Sequence, residues 1–296
     1  MRALIVLVAL PLIASEQRTV DPTFLHRYLP DAVEWKTDMS TSTCHYKALF
    51  GEGDAQGRVP RSVARFGEIR IDPGGHCEAA ARVLEEEAYV VLEGSGTMES
   101  EGRKFPLRAH DFFYVPQAMR ALGAPLVLHT PAISSSTGAR LVVMGFRIPQ
   151  DRVRYVPSQG LPTIANFDDV KWQTVSGHPD SVLYQLLIGD KNSKRDKIAA
   201  GEVLTSLFIM EFEPGGTNFP HHHEKAEEIY LALDGSGDMV AGGGTDGVEG
   251  RHPARAGDAY FFRLNCTVGF YASKSPGPKA RILAVRSQYP FSKEPD

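Results

Sequence analysis

Three consecutive histidines, followed closely by a pair of glutamates, stand out in the second half of the chain. Residues 215–228 read G-G-T-N-F-P-H-H-H-E-K-A-E-E. Successive side chains on a strand point to opposite faces, so His221 and His223 share one face and His222 takes the other. Two imidazoles and a carboxylate that returns on the next strand, Glu228, can bind a divalent metal ion and leave positions open for water, oxygen or substrate. We therefore predict a metal site at His221, His223 and Glu228.

The elements that must position these residues are repeated along the chain. The two tryptophans lie in similar heptads, D-A-V-E-W-K-T at 31–37 and D-D-V-K-W-Q-T at 168–174. Further similar segments follow in the same order, namely 71–75 and 212–216, 87–96 and 228–237, 111–116 and 258–263, and 141–144 and 282–285. Order and spacing both recur, so the chain is a tandem duplication. Its halves are 31–150 and 168–296, and a proline-containing linker joins them at 151–167.

Each half has the pattern of β structure. Short runs rich in Val, Ile, Leu, Phe and Tyr end at turn signals such as P-G-G and G-S-G. No long helical period interrupts them. The pattern predicts an all-β fold with a sandwich or barrel in each half.

The spacing around the histidines resembles the first motif of the cupin superfamily. In that motif a Gly is followed after five residues by His-x-His, after three or four more by Glu, and after six more by Gly. Every interval fits Gly215, His221, His223, Glu228 and Gly235. Together with the duplication, the resemblance covers nearly all of the chain after residue 30. It implies a bicupin, with two tandem barrels of the double-stranded β-helix or jelly-roll type.

Both halves depart from the cupin pattern. The second cupin motif supplies a fourth ligand, a His, where this chain has Val268. In the first half Ala80 and Arg82 hold the two His positions, Ala121 holds the later one, and the acidic position survives as Glu87. We therefore expect a three-ligand site in the C-terminal barrel and no metal in the N-terminal barrel. A buried carboxylate needs a partner, so we predict that Arg82 pairs with Glu87 in place of a metal.

Other residues near the motif are candidates for the pocket. Tyr230 and Phe261 alternate with inward positions and either bind substrate or pack in the core. Arg263, where the family usually has Pro, either anchors an anionic substrate or stands on the surface. Cys266 is either a soft thiolate ligand or a small apolar filler. Glu227 lies one residue off the motif spacing, and we interpret it as a solvated charge.

Composition limits the partners and suggests a compartment. The 32 basic and 36 acidic residues give a net charge of -4, which argues against nucleic-acid binding. Residues 1–15 place one Arg before an apolar run and a small residue, the order of a signal peptide, and 16–30 form an N-terminal arm. We therefore expect a secreted or periplasmic protein with no membrane insertion after signal removal. Spacing assigns no disulfide among Cys44, Cys77 and Cys266, and their odd number leaves a thiol unpaired within the chain.

Three functions remain open. The resemblance implies a metal-dependent enzyme that uses Fe, Mn, Ni, Cu or Zn on a small organic substrate. Its reaction would be oxidative cleavage, isomerisation, decarboxylation or amide hydrolysis. Among the enzymes of the family that the chain resembles, dioxygenase-like oxidoreductases are the largest group. The second function is non-catalytic binding of a sugar or organic acid beside a degenerate metal site. The third is an assembly role, in which residues 16–30 exchange with a neighbour in a homo-oligomer.

Overall fold

A computed structural model describes residues 22–79, 82, 84–100, 102–116, 126–130, 138–152, 162–243, 248–274 and 277–291. The predicted signal peptide at 1–15 lies outside these ranges, as do Ala80 and Ala121. Within the described ranges the regular structure consists of strands and three short 3-10 turns, at Leu29–Asp31, Gln150–Arg152 and Phe167–Asp169. None of the helical segments in this part of the chain is long and apolar enough to cross a membrane. The all-β prediction is confirmed.

Twenty strands follow one another along the described part of the chain. The first ten are β1 (Phe24–Tyr28), β2 (Cys44–Gly51), β3 (Val63–Ile71), β4 (His76–Ala79), β5 (Glu85–Glu93), β6 (Ser95–Ser100), β7 (Arg103–Arg108), β8 (Asp111–Val115), β9 (Leu126–His129) and β10 (Ala139–Arg147). The second ten are β11 (Thr163–Asn166), β12 (Val182–Asp190), β13 (Ile198–Gly201), β14 (Leu204–Phe212), β15 (Ala226–Asp234), β16 (Ser236–Gly242), β17 (Gly250–Arg255), β18 (Asp258–Phe262), β19 (Thr267–Ala272) and β20 (Ala280–Gln288).

Each half of the chain builds one large and one small sheet. The first half contributes a six-stranded sheet, β11-β8-β5-β10-β3-β2, and a four-stranded sheet, β4-β9-β6-β7. The second half contributes a seven-stranded sheet, β1-β18-β15-β20-β14-β12-β13, and a three-stranded sheet, β17-β16-β19. Three neighbouring strands occupy matching places in the two large sheets, β5-β10-β3 in the first half and β15-β20-β14 in the second, as the duplication requires.

The two large sheets are buried on both faces. On β5, Ala88 and Val90 join a core shared by both halves, whereas Tyr89 and Val91 join the core inside the first half. Strands of this kind have near-continuous apolar sequences, because both sets of alternating side chains leave water. The layers therefore run from small sheet to large sheet, across the shared core, to the second large and small sheets.

Strands from the arm and from the linker complete the two large sheets as edge strands. Strand β1 pairs antiparallel with β18 of the second half along its full length. Strand β11 pairs with β8 of the first half in the same way. Part of the predicted arm therefore pairs with its own chain, and the end of the predicted linker is an edge strand.

The cysteines divide between the halves. Cys44 on β2 and Cys77 on β4 form a disulfide, so it joins the large and small sheets of the first half. Cys266 is a free, buried thiol in the core of the second half. The pairing left open by the sequence is thereby assigned.

Candidate metal site

The predicted ligands lie on a turn and the strand that follows it. Gly215, with φ of 76°, begins the turn in a backbone conformation that favours glycine. His221 then makes an isolated antiparallel bridge with Val268, and their N–H···O distances are 2.9 and 2.8 Å. The chain reverses and enters β15, which carries Glu228. The Val268 side chain is buried in the apolar core, so this residue holds His221 through its backbone only.

The three predicted ligands come together. Ligand atoms of His221, His223 and Glu228 all lie within 4.8 Å of one another. The His223 Nε2 atom is 3.2 Å from Glu228 Oε2, and the His221 and His223 rings are 5.0 Å apart in an edge-on arrangement. The His222 side chain is exposed, on the opposite side from its two neighbours. The alternation expected from the sequence thus holds through the histidine run.

His221 is oriented for ligation by its own turn. Its Nδ1 atom donates to the Phe219 carbonyl at 2.8 Å, so Nε2 carries the lone pair in the neutral ring. This second hydrogen bond is typical of histidines that bind metals. Burial lowers the pKa of His221, which favours the neutral form that a metal needs. Phe219 adopts a φ of 54° although its ring is 55% exposed, so packing of the ring does not account for this strained backbone.

Glu228 is ionised and paired with an arginine. It is 2% exposed and faces Arg286 on the neighbouring strand, where Arg286 Nε lies 3.5 Å from Glu228 Oε1. Burial opposes ionisation of Glu228, but the His223 imidazole and the Arg286 charge outweigh it and hold the pKa below its usual range. Arg286 was not anticipated from the sequence. The sequence does contain a signal for Arg286, because the equivalent position in the first half is Gly145 and the two repeats differ there.

Several buried polar atoms here have no hydrogen-bond partner within the described part of the chain. They are His223 Nε2, Glu228 Oε2, Arg286 Nε and the Tyr184 hydroxyl. Buried polar groups are normally satisfied, so unsatisfied ones at a single site call for an explanation. His223 Nε2 and Glu228 Oε2 face each other at 3.2 Å, and a shared cation would satisfy both atoms once the His223 ring is neutral with Nε2 unprotonated. The residues present therefore fit a divalent metal ion.

A small cavity adjoins the cluster. It has a volume of about 20 Å³, and two of the predicted ligands, His221 and Glu228, line it together with His178, Tyr184, Tyr230 and Arg286. Tyr230, a predicted pocket residue, is therefore part of the lining. Its hydroxyl accepts a hydrogen bond from Asn218 Nδ2 at 3.0 Å. His178 donates from Nδ1 to the Asn218 carbonyl at 2.9 Å. His178 and Tyr184 carry no motif that the sequence could have revealed.

The remaining candidates lie elsewhere. Phe261 is in the core shared by the two halves, because β18 turns Tyr260 and Phe262 toward the barrel interior instead. Its prediction as a pocket residue is therefore wrong. Arg263 Nη1 contacts the Pro22 carbonyl at 3.4 Å, which places it beside the N-terminal arm. Cys266 Sγ lies 3.4 Å from the Gly242 amide and is not part of the ligand cluster.

The interpretation of Glu227 as a solvated charge is wrong. It is 1% exposed rather than solvated, and it accepts hydrogen bonds from the backbone amides of Arg61 and Ser62 in the first half. It points away from the cluster because it is adjacent to Glu228 on a strand.

In the first half an arginine stands where the metal would be, but it is not the predicted one. Glu87 is buried, and Arg65 Nη1 lies 3.6 Å from its Oε1 atom. Arg82 instead pairs with Asp38 and Glu52 nearer the surface. The predicted pair of Arg82 with Glu87 is therefore wrong, because the fully buried Arg65 reaches this carboxylate from β3.

Comparison with solved structures shows the fold. A protein from Pseudomonas aeruginosa named as glyoxylate-induced superposes with a TM-score of 0.66 at 14% identity, over 97% of this chain and 95% of that one. An oxalate decarboxylase from Lactobacillus farciminis, solved with formate, gives 0.61 at 15% identity over 91% and 87%. Protein Ylba from E. coli gives 0.60 at 15% identity over 93% and 95%. The fold is that of the cupins.

Compared by sequence, the chain matches no family model, and no curated protein is similar enough to count as a relative. The structural similarity at such low identity therefore establishes the cupin jelly roll, and the site has to be interpreted from its own residues.

Proposed function

We propose that this protein is an exported bicupin that binds a divalent metal ion through His221, His223 and Glu228. It would use that metal to act on a small organic molecule. One observation carries the proposal. Ligand atoms of three residues converge within 4.8 Å, and two of these atoms, His223 Nε2 and Glu228 Oε2, are buried without a hydrogen-bond partner within the described ranges. Export is supported by the signal-like order of residues 1–15.

A metal held here would polarise an oxygen atom of the substrate. The chain's own contribution is to orient that substrate. The Tyr184 hydroxyl and Arg286 Nε have no hydrogen-bond acceptor among the described residues, although Arg286 forms an ion pair with Glu228, and both residues line the same cavity as His221 and Glu228. This arrangement favours a substrate whose oxygen atoms accept hydrogen bonds, such as a small carboxylic acid.

The test is elemental analysis of protein purified without a histidine tag. We expect close to one equivalent of Fe, Mn, Ni, Cu or Zn per chain, and its loss in the His221→Ala/His223→Ala variant. His222→Ala is the matched control, because it removes an imidazole from the same run on the exposed side and should retain the metal. Wild-type protein that takes up no metal after reconstitution would contradict the proposal.

One observation favours a second candidate, a small-molecule binding protein without a metal. Arg286 already provides Glu228 with a positive charge, much as Arg65 does for Glu87 in the first half. Measuring oxygen consumption and product formation with small carboxylic acids, on metal-loaded protein, separates the two candidates. Binding without metal and without turnover would favour the second.

A further inference from the structure

The acidic ligand of the second half is tied to the first half through the residue before it. Glu228 faces the metal cluster and Glu227 faces the other side of β15. The Glu227 carboxylate accepts from the Arg61 amide at 2.8 Å, the Ser62 amide at 2.8 Å and the Ser62 hydroxyl at 2.6 Å. These hydrogen bonds to a buried carboxyl group hold the backbone beside Glu228.

The same serine also reaches the strand that carries Arg286. The Ser62 and Ser287 hydroxyl oxygens lie 2.7 Å apart, and Ser287 follows Arg286 on β20. Since the Ser62 hydroxyl donates to Glu227, the proton between the two serines comes from Ser287. One residue of the first half thus contacts the sequence neighbours of both charged residues of the site, Glu228 and Arg286.

The duplication supplies a counterpart that has no ligand cluster beside it among the described residues. Glu86 in the first half accepts from the backbone amides of Glu202, Val203 and Leu204 at 2.8, 2.7 and 2.5 Å. It also accepts from the Tyr114 hydroxyl at 2.5 Å. Its neighbour Glu87 is held by an arginine rather than by histidines. The two halves therefore contain equivalent buried links, of which only one adjoins the candidate metal site.

We propose that the first half is a positioning partner for the metal site, and that Ser62 is the positioning residue. It acts on Glu228 through Glu227 and on Arg286 through Ser287. This inference rests on the proposed metal binding. Its physical reason is that metal ligands tolerate only small displacements, and the groups that orient them typically change metal affinity about 10–100-fold when removed.

The experiment compares Ser62→Ala with Tyr114→Phe. Each variant deletes one hydroxyl donor to a buried interdomain carboxylate, so both should lower the melting temperature. Mn²⁺ is the probe, with its dissociation constant measured by calorimetry and its environment by electron paramagnetic resonance. We expect Ser62→Ala to weaken Mn²⁺ binding about 10-fold and to alter the spectrum. Tyr114→Phe should leave both close to wild type.

A second pair covers the case in which Ser62→Ala does not fold. Glu227→Gln and Glu86→Gln keep the side-chain shape and remove one charge each, and only Glu227→Gln should weaken Mn²⁺ binding. Ser62→Thr, which keeps the hydroxyl, should restore the affinity lost in Ser62→Ala. Equal Mn²⁺ affinity within either pair, with wild type binding Mn²⁺, would overturn the inference alone. Wild-type protein that binds no Mn²⁺ would overturn the proposed function and this inference with it.

Discussion

Each half buries a glutamate beside an arginine, but the arginine lies on a different strand in each half. In the first half Arg65 on β3 reaches Glu87 across Gly145 of β10, which lies opposite both residues. In the second half the equivalent of Gly145 is Arg286, and it lies directly opposite Glu228. The position equivalent to Arg65 is Ser206, opposite Arg286.

This exchange of strands has a steric cause. A Cβ atom on Gly145 would lie 3.0 Å from Arg65 Cγ and 3.1 Å from its Nε, so glycine leaves the space that the Arg65 side chain crosses. Arg65 is fully buried, donates to Glu85 at 2.7 Å and lies 3.6 Å from Glu87, so its charge takes the place that a metal ion would occupy beside Glu87. Arg286 is partly exposed, and it leaves Glu228 Oε2 directed at His223. The duplicated arrangement has thus become an ion pair of Arg65 with Glu87 in the first half and a set of candidate metal ligands around Glu228 in the second.

The largest change in the free energy of unfolding is expected from removing Arg65, the buried partner of Glu87. Arg65→Leu leaves Glu87 buried without its cation, and removing one partner of a buried pair costs about 3–5 kcal/mol. Urea unfolding should show this loss. The double variant Arg65→Leu/Glu87→Leu should recover only part of it, because the buried charge of Glu87 is gone but Glu85, which accepts from Arg65 at 2.7 Å, still loses its partner. A loss below about 1 kcal/mol in the single variant would show that Glu87 does not depend on Arg65.

The disulfide sharpens the comparison, because it braces only the first half. Reducing the bond between Cys44 and Cys77 should cost about 2–4 kcal/mol of unfolding free energy, since the unfolded chain regains the freedom of the closed loop. Urea unfolding with and without a phosphine reductant measures it. The Cys44→Ser/Cys77→Ser variant is the control and should be insensitive to the reductant. Equal sensitivity there would assign the effect to another cause.

Metal should stabilise the second half selectively. At a free Mn²⁺ concentration 100 times the dissociation constant, binding adds about 2.7 kcal/mol to the free energy of unfolding. The melting temperature should therefore rise with Mn²⁺ and fall back with a chelator. His221→Ala/His223→Ala should show neither change. A rise that persists in this variant would place the binding site outside the cluster.

The smallest effect tests whether Arg286 competes with the metal. Arg286→Met removes a positive charge 3.5 Å from Glu228 and should tighten Mn²⁺ binding roughly five-fold, about 1 kcal/mol. Arg281→Met is the matched control, because Arg281 lies on the same strand but pairs with Glu211. Weaker binding in Arg286→Met would instead show that Arg286 orients Glu228 for the metal.

The sequence by itself determined the all-β fold, the duplication and the shared face of His221 and His223. These follow from local rules, since alternation along a strand and the spacing of a motif are properties of neighbouring residues. The same rules explain the error at Phe261. On a strand buried on both faces, alternation separates the residues into two sets but does not say which set faces the cavity.

Tertiary structure alone decided which charges meet. Arg65 and Arg286 reach their glutamates from strands distant in the sequence, and Glu227 finds its donors in the other half. Such pairings depend on strand register and on how two large sheets pack, neither of which a single sequence specifies locally. The three ligands could be read from their spacing, whereas the groups that hold them in place follow from the packing of two barrels against each other.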